Sequence, residues 1–142
     1  MPKHNIEITL SKNHLKVYEK CEKKAKKIVF NKSSVSKTIR RARKVIERLK
    51  NIPKLEALTN NVCNFCDLIA DYIDGIYTNP PLSTVVALVG GLLYLLLPFD
   101  VLSDLIPVLG WVDDAAVVAV ILKTEQREVD EYLKWKEERK DK

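Results

Sequence analysis

Four aspartates lie close together in the second half of the chain: Asp100, Asp104, Asp113 and Asp114. Several carboxylates in one place suit a hard divalent cation, which prefers oxygen ligands. Aspartate also caps helices, because its carboxylate accepts hydrogen bonds from free backbone N–H groups at a helix start. We favour capping by Asp100 and by Asp113 or Asp114, and keep a cation cluster as the alternative. We expect no catalytic residue, no metal and no cofactor.

Cys63 and Cys66 form a C-x-x-C pair, which is typical of zinc sites and of redox motifs. A zinc site needs four ligands, and no second pair follows in the sequence. The redox motif needs a βαβ setting, which the sequence does not predict. The two thiols would lie one helical turn apart beside Val62 and Phe65, so we expect them to pack in a core.

The charge of the chain changes abruptly near residue 54. Residues 1–54 hold 17 of the 24 Lys and Arg and only 4 Asp and Glu, whereas residues 55–122 hold 8 Asp and Glu and no base. Residues 82–99 carry no charge at all. A basic region followed by a long apolar segment is typical of a protein that meets a membrane with its basic part on the cytoplasmic side.

The basic region offers a surface to a polyanion, and its densest part lies on the first two predicted helices. Its members are Lys16, Lys20, Lys23, Lys24, Lys26, Lys27, Arg40, Arg41, Arg43 and Lys44. Anionic lipid headgroups would satisfy these charges, and so would the phosphates of a nucleic acid. No aromatic residue interleaves with the arginines and no nucleic-acid-binding motif appears, so we rank lipid first, a plain solvated face second and nucleic acid third.

Length and composition indicate one domain of ordinary apolar content. The chain has 142 residues, 46% of them apolar, and three cysteines. An odd number of cysteines excludes a complete intramolecular disulfide set and favours a reducing, intracellular compartment. We expect no secretory signal, because the first residues contain no apolar run with a cleavage site.

Apolar residues at helical spacing predict three amphipathic helices in residues 1–81. We expect them from Ser11 to about Val29, from Ser34 or Ser36 to about Asn51, and from about Lys54 to Asp74, where Gly75 stops the third. A fourth, wholly apolar helix is expected over Leu82–Leu97, ended by Pro98. A last helix is expected from Val112 or Asp113 to about Glu138, apolar to Leu122 and charged over residues 123–142.

Residues 84–122 contain Y-L-L-L-P-F-D at 94–100, D-L-I-P-V-L-G at 104–110 and the acids Asp113 and Asp114. With these motifs the segment resembles the core of the YkvA-like family, a small bacterial domain of unknown function. The resemblance implies a helical hairpin, often predicted to be embedded in membranes, and it implies no activity. Leu97 stands where the family often has Ser.

Small residues recur every four positions on both helices of this predicted hairpin, residues 82–122. They are Ser83, Ala87 and Gly91 on the first helix and Ala115 and Ala119 on the second. Small faces let helix backbones approach closely, so we expect an antiparallel contact through these residues. The apolar return leg, Ala115–Leu122, spans only about 12 Å, too short to recross a bilayer core unaided. The hairpin is therefore either shallow, re-entrant or oligomeric in lipid, or the centre of a soluble bundle.

The sequence thus predicts an all-α bundle of about five helices, with three amphipathic helices around a central apolar hairpin. We expect a non-catalytic role at the cytoplasmic membrane, with the hairpin in the bilayer or switching into it and a soluble cytoplasmic form besides. The alternative is a soluble adaptor whose basic face binds an acidic protein or nucleic acid. A homo-oligomer is compatible with both functions, and no small-molecule substrate is indicated.

Overall fold

Five α-helices and one 3-10 turn make up the described part of the chain. The computed structural model describes residues 12–102 and 109–140, with side chains except at 12–15, 54, 97–102 and 109–122. The helices are α1 (Lys12–Ile28), α2 (Lys32–Leu49), α3 (Glu56–Ile73), α4 (Leu82–Leu102) and α5 (Leu109–Lys140), and the 3-10 turn is Pro53–Leu55. No strand occurs within these residues. The predicted all-α class and the small bundle of helices are confirmed.

The first three helices bury the apolar stripes that the sequence predicts. Cys21, Ala25 and Val29 from the first stripe are buried, as are Val35, Ile39 and others from the second. The start of α2 differs from the prediction. Asn31 is its N-cap, and its side chain accepts a hydrogen bond from the Ser34 backbone N–H at 3.0 Å. Asparagine caps as well as serine does, and here it comes first along the chain.

Gly75 ends α3, as predicted, in a left-handed conformation with φ of 75°. Its N–H donates to the Tyr72 carbonyl at 3.1 Å, and the Ile76 N–H donates to the Asp71 carbonyl at 2.9 Å. This pair of bonds is a Schellman motif, which satisfies the last helical carbonyls and needs a residue free of Cβ strain at the position that Gly75 occupies.

The helix α4 is longer than predicted, because it continues through Pro98 to Leu102. A proline inside a helix costs about 3 kcal/mol, since it removes one donor. Each fully buried large apolar side chain stabilises the fold by about 1.5–3 kcal/mol, and α4 buries many of them. The one backbone hydrogen bond lost at Pro98 therefore does not end the helix.

The observed end of α4 and start of α5 contradict the predicted helix caps. Asp100 lies in the last turn of α4, and Asp113 and Asp114 lie inside α5, which begins at Leu109. None of the three is at an N-cap position, so the capping prediction is wrong. The side chains of Asp100, Asp113 and Asp114, and all of Asp104, lie outside the described residues, so the cation cluster stays untested.

The apolar helix α4 lies at the centre and packs against all four other helices, most extensively against α1. Its residues from Thr84 to Leu96 are buried, with Ala87 alone half-buried. A helix that is apolar on every face needs cover on every side. The arrangement of the bundle follows from that need.

The packing of α1 on α4 is close because Gly90 has no side chain. A Cβ atom at Gly90 would lie 3.2 Å from the Cα atom of Glu22 and 3.6 Å from a ring carbon of Tyr18. The Tyr18 hydroxyl donates to the Ala87 carbonyl at 3.2 Å, and the Tyr18 ring meets the Tyr94 ring edge-on. The small residues on this face of α4 therefore let α1 pack closely against it.

The predicted contact between α4 and α5 lies partly outside the described side chains. The two helices pack together, and the Thr84 hydroxyl donates to the Glu125 carboxylate at 2.9 Å. Ser83 is exposed and Gly91 is buried. The side chains of Ala115 and Ala119 are not among those described, so a close approach through these small residues remains a prediction.

Replacing Gly90 by Leu should destabilise the protein, because the new side chain meets the Glu22 backbone rather than a movable side chain. We expect the free energy of unfolding to fall by about 1–3 kcal/mol, the usual range for overpacking. Chemical denaturation measures this change. Ser83→Ala, an exposed change on the same helix, should stay within about 0.5 kcal/mol of the parent. Equal stability of Gly90→Leu and the parent would refute the close contact.

Candidate site: a basic surface on the cover of an apolar helix

One side of α1 carries a line of exposed lysines. Lys16, Lys20, Lys23 and Lys27 follow one another at intervals of four and three residues, which keeps them on one face of a helix. The buried Cys21 and Ala25 and their neighbours lie on the opposite face, against α4. The outer face of α1 thus presents lysines to solvent, and its inner face packs against the apolar helix α4.

The predicted basic residues of α1 hold no internal ion pair. Within the described part of the chain, neither the six α1 lysines from Lys16 to Lys27 nor Arg40 and Lys44 of α2 pairs with a carboxylate. All eight are exposed. Their positive charge is available to an anion from outside the bundle.

Arg43 differs from the other predicted members of the basic surface. Its guanidinium donates to the Asp67 carboxylate on α3 at 2.9 Å and is half-buried. Arg41 is half-buried as well and has interactions of its own. Contact between Arg43 and a polyanion therefore competes with an internal ion pair, which sequence spacing alone could not reveal.

Asp67 joins three helices. It accepts hydrogen bonds from Arg43 of α2 and, at 2.8 Å, from Lys136 of α5. Burial by itself would raise the pKa of Asp67, but the hydrogen bonds and charges of Lys136 and Arg43 outweigh burial and lower it. Asp67 thus stays ionised between two cations, and its hydrogen bonds connect α2 and α5 to α3.

The charged tail of α5 is docked on α3 by a second polar contact. The hydroxyl of the fully buried Tyr132 donates to the Asp71 carboxylate at 2.6 Å. Burial and this bond both raise the pKa of Tyr132. The ring stacks on Trp135 and meets Tyr77 edge-on, and the Arg139 guanidinium lies 4.8 Å from the centre of the Trp135 ring. These contacts are structural.

The C-x-x-C pair faces the core, as expected from its place beside apolar residues. Cys66 is fully buried and Cys63 half-buried, and both are free thiols. Burial raises the pKa of Cys66 to about 12. Its thiol therefore stays protonated near neutral pH, which makes it a poor nucleophile and a poor metal ligand. Among the described residues, no three His, Cys, Asp or Glu side chains are grouped as a metal site would need.

Phe30 is a surface feature that the sequence analysis missed. Its side chain is 80% exposed, the highest value among the large apolar residues described. It follows the buried Val29 and comes just after the last turn of α1. The available signal was its position, because Phe30 is out of register with the apolar stripe of α1 and lies close to basic residues on both sides.

Replacing Asp67 by Asn should destabilise the protein near neutral pH, because Arg43 and Lys136 lose their shared anion. Hydrogen bonds to charged groups contribute about 1.5–3 kcal/mol, and partial exposure of both cations reduces this to about 1–2 kcal/mol. The folded-state pKa of Asp67 is lowered, so its contribution is present above the unfolded value, about 3.9, and is lost as pH falls through the folded value.

The measurement compares the free energy of unfolding of Asp67→Asn and the parent at neutral pH and in acid. The difference should persist down to about pH 4 and shrink below it. Asp130→Asn is the matched control, because Asp130 is exposed and, among the described residues, accepts a hydrogen bond only from Gln126. A pH-independent difference would exclude the charged clamp.

Within the described residues, no helix combines the length and the apolar character that a bilayer crossing requires.

Comparison with known proteins matches the central part of the chain to a family model. Residues 84–120 fit the model described as "Protein of unknown function (DUF1232)". The chain is 31% identical over 93 residues to a Bacillus subtilis protein named "Uncharacterized membrane protein YkvA", and the match covers 66% of this chain and 85% of that protein. No solved structure matches. The predicted resemblance is confirmed, and the chain belongs to the YkvA-like family.

Proposed function

We propose that this protein is a non-catalytic, membrane-associated helical protein whose basic helix α1 contacts anionic lipid on the cytoplasmic side of the cytoplasmic membrane. The observation that carries the proposal is the double role of α1. Its lysines from Lys16 to Lys27 are exposed and hold no ion pair among the described residues, and its opposite face covers the apolar helix α4. The Bacillus relative is named as a membrane protein, which supports the same role.

The attraction that we propose is electrostatic. A basic residue near an anionic leaflet contributes roughly 1 kcal/mol, and the attraction falls off within a Debye length, about 8 Å at physiological ionic strength. Several lysines on one helix therefore add up to firm binding at low salt and weak binding at high salt.

We further propose that α4 and the apolar start of α5 enter the bilayer when α1 leaves them. In the folded bundle α4 is covered on every side, which suits a soluble cytoplasmic form. Removing α1 would expose the face of α4 that carries Ala87, Gly90 and Tyr94. An apolar face without cover lowers its free energy by entering hydrocarbon. The basic helix would thus act as both the lipid contact and the cover.

Replacing Lys20, Lys23 and Lys27 together by Gln should weaken binding to anionic vesicles about 100-fold at low salt, from about 3 kcal/mol of lost attraction. Co-sedimentation with neutral and with anionic vesicles, at low and at high salt, measures this. The control removes the same charge from exposed lysines of α5: Lys123, Lys134 and Lys140.

Three outcomes would contradict the proposal. Equal binding to neutral and anionic vesicles would remove the charge argument. Equal losses in the two triple variants would show that total charge, not α1, decides binding. Tighter binding to nucleic acid or to an acidic protein than to anionic vesicles at matched salt would favour the adaptor role.

Gly90→Leu should increase insertion of the apolar helix, because the added side chain pushes α1 from α4. After binding to anionic vesicles and a carbonate wash at high pH, a larger fraction of this variant should stay with the lipid than of the parent. Val45→Ala is the control, since Val45 is buried in α2 and its loss destabilises the bundle without touching the contact at Gly90. An equal rise in both variants would indicate general unfolding instead of release of α1.

A further inference from the structure

The position of Phe30 is fixed by the turn between α1 and α2. The Asn31 N–H donates to the Ile28 carbonyl at 2.8 Å, and the Asn31 side chain caps α2 through Ser34. Val29 beside it is buried. With both neighbours held, the Phe30 ring is directed outward by an ordered backbone, at 80% exposure.

The surroundings of Phe30 are basic. Lys26 and Lys27, in the last turn of α1, precede it by four and three residues, and both are exposed. Lys32 follows two residues later. The exposed ring thus lies among lysines with long apolar stems, which can lie along an apolar surface while their ammonium groups stay in water.

A second exposed apolar residue lies at the same end of the bundle. The Lys32 ammonium pairs with the Asp74 carboxylate at 3.1 Å, which brings the start of α2 to the end of α3. Ile76 comes two residues after Asp74 and is 48% exposed. The turn between α1 and α2 and the end of α3 therefore present Phe30 and Ile76 at one end of the bundle, near Lys26, Lys27 and the ion pair of Lys32 with Asp74.

We propose that Phe30 inserts into the headgroup and acyl boundary of an anionic bilayer, with Ile76 beside it and the exposed Lys26 and Lys27 on the phosphates. The inference rests on the proposed lipid contact of α1 and adds to it the end of the bundle that meets the membrane. An aromatic ring among lysines fits this boundary, which is apolar on one side and negatively charged on the other.

The fit to lipid follows from the combination of charges and ring. A single exposed apolar residue needs no explanation on a soluble protein. An outward ring on an ordered turn, with an exposed isoleucine at the same end and two exposed lysines in the helical turn before it, matches the two components of an anionic interface. An anionic bilayer complements the lysines at its surface and takes the ring into its apolar depth in one continuous interface.

The test measures vesicle binding of the full-length protein with Phe30→Ala and Phe30→Trp. We expect Phe30→Ala to weaken binding to phosphatidylcholine vesicles containing one third phosphatidylglycerol about 10-fold, or ~1.4 kcal/mol. Its thermal midpoint should not change, because the side chain is exposed. Its salt dependence should also match the parent, since no charge is removed. Phe30→Trp should restore binding, and its fluorescence should shift to shorter wavelength beyond any shift of the parent's Trp111 and Trp135.

The outcomes separate this inference from the proposed function. If Phe30→Ala binds like the parent while the triple lysine variant loses binding, α1 contacts lipid but Phe30 does not insert, and the inference is wrong. If the parent does not bind the anionic vesicles at all, both proposals fail. If the Phe30→Trp variant binds vesicles and its emission shifts no further than that of the parent, insertion is also overturned.

Discussion

The structure depends on covering one helix that is apolar on every face. A helix of this kind cannot lie at a protein surface, so the remaining helices must surround it or lipid must do so. In the bundle, four helices share the task, and α1 contributes the most extensive contact with α4. Contacts such as the Asp67 ion pairs with Arg43 and Lys136 hold this cover together from outside.

The basic helix α1 makes the largest single contribution to this cover, and Gly90 permits its close approach. Because the Glu22 backbone lies against Gly90, side-chain bulk at this point separates the helices. Polar contacts at the same interface are few and specific, such as the bond from the Tyr18 hydroxyl to the Ala87 carbonyl. Burial raises the pKa of Tyr18 well above its usual range, with the nearby Glu22 and Glu125 adding to the effect, so this hydroxyl remains a donor at all ordinary pH values.

The sequence could predict the helices and the core because apolar residues at helical spacing mark the buried face of each helix. It could predict the end of α3 because Gly75 favours the left-handed conformation that it adopts there. It could not predict that α4 passes Pro98, because that depends on the summed burial of distant residues. It also did not predict the close approach of α1 to Gly90, because the four-residue spacing of small residues pointed to Gly91 and α5, a contact that stays a prediction. The sequence could not distinguish Arg43 from its basic neighbours, because its ion pair with Asp67 exists only in the folded bundle. Nor could it single out Phe30, whose exposure is visible only in the structure.

The stability of α1 itself depends on what faces its lysines. Lys16 and Lys20, Lys20 and Lys24, and Lys23 and Lys27 are like charges one turn apart, and each such pair destabilises a helix by about 0.2–0.5 kcal/mol. Its first turn has no acid to offset the dipole. A helix of 17 residues is marginal alone, so α1 owes its structure to α4. An anionic surface would reverse the repulsion and stabilise the helix from its other face. Under the proposed function, α1 would exchange one apolar support, α4, for one charged support, the membrane surface.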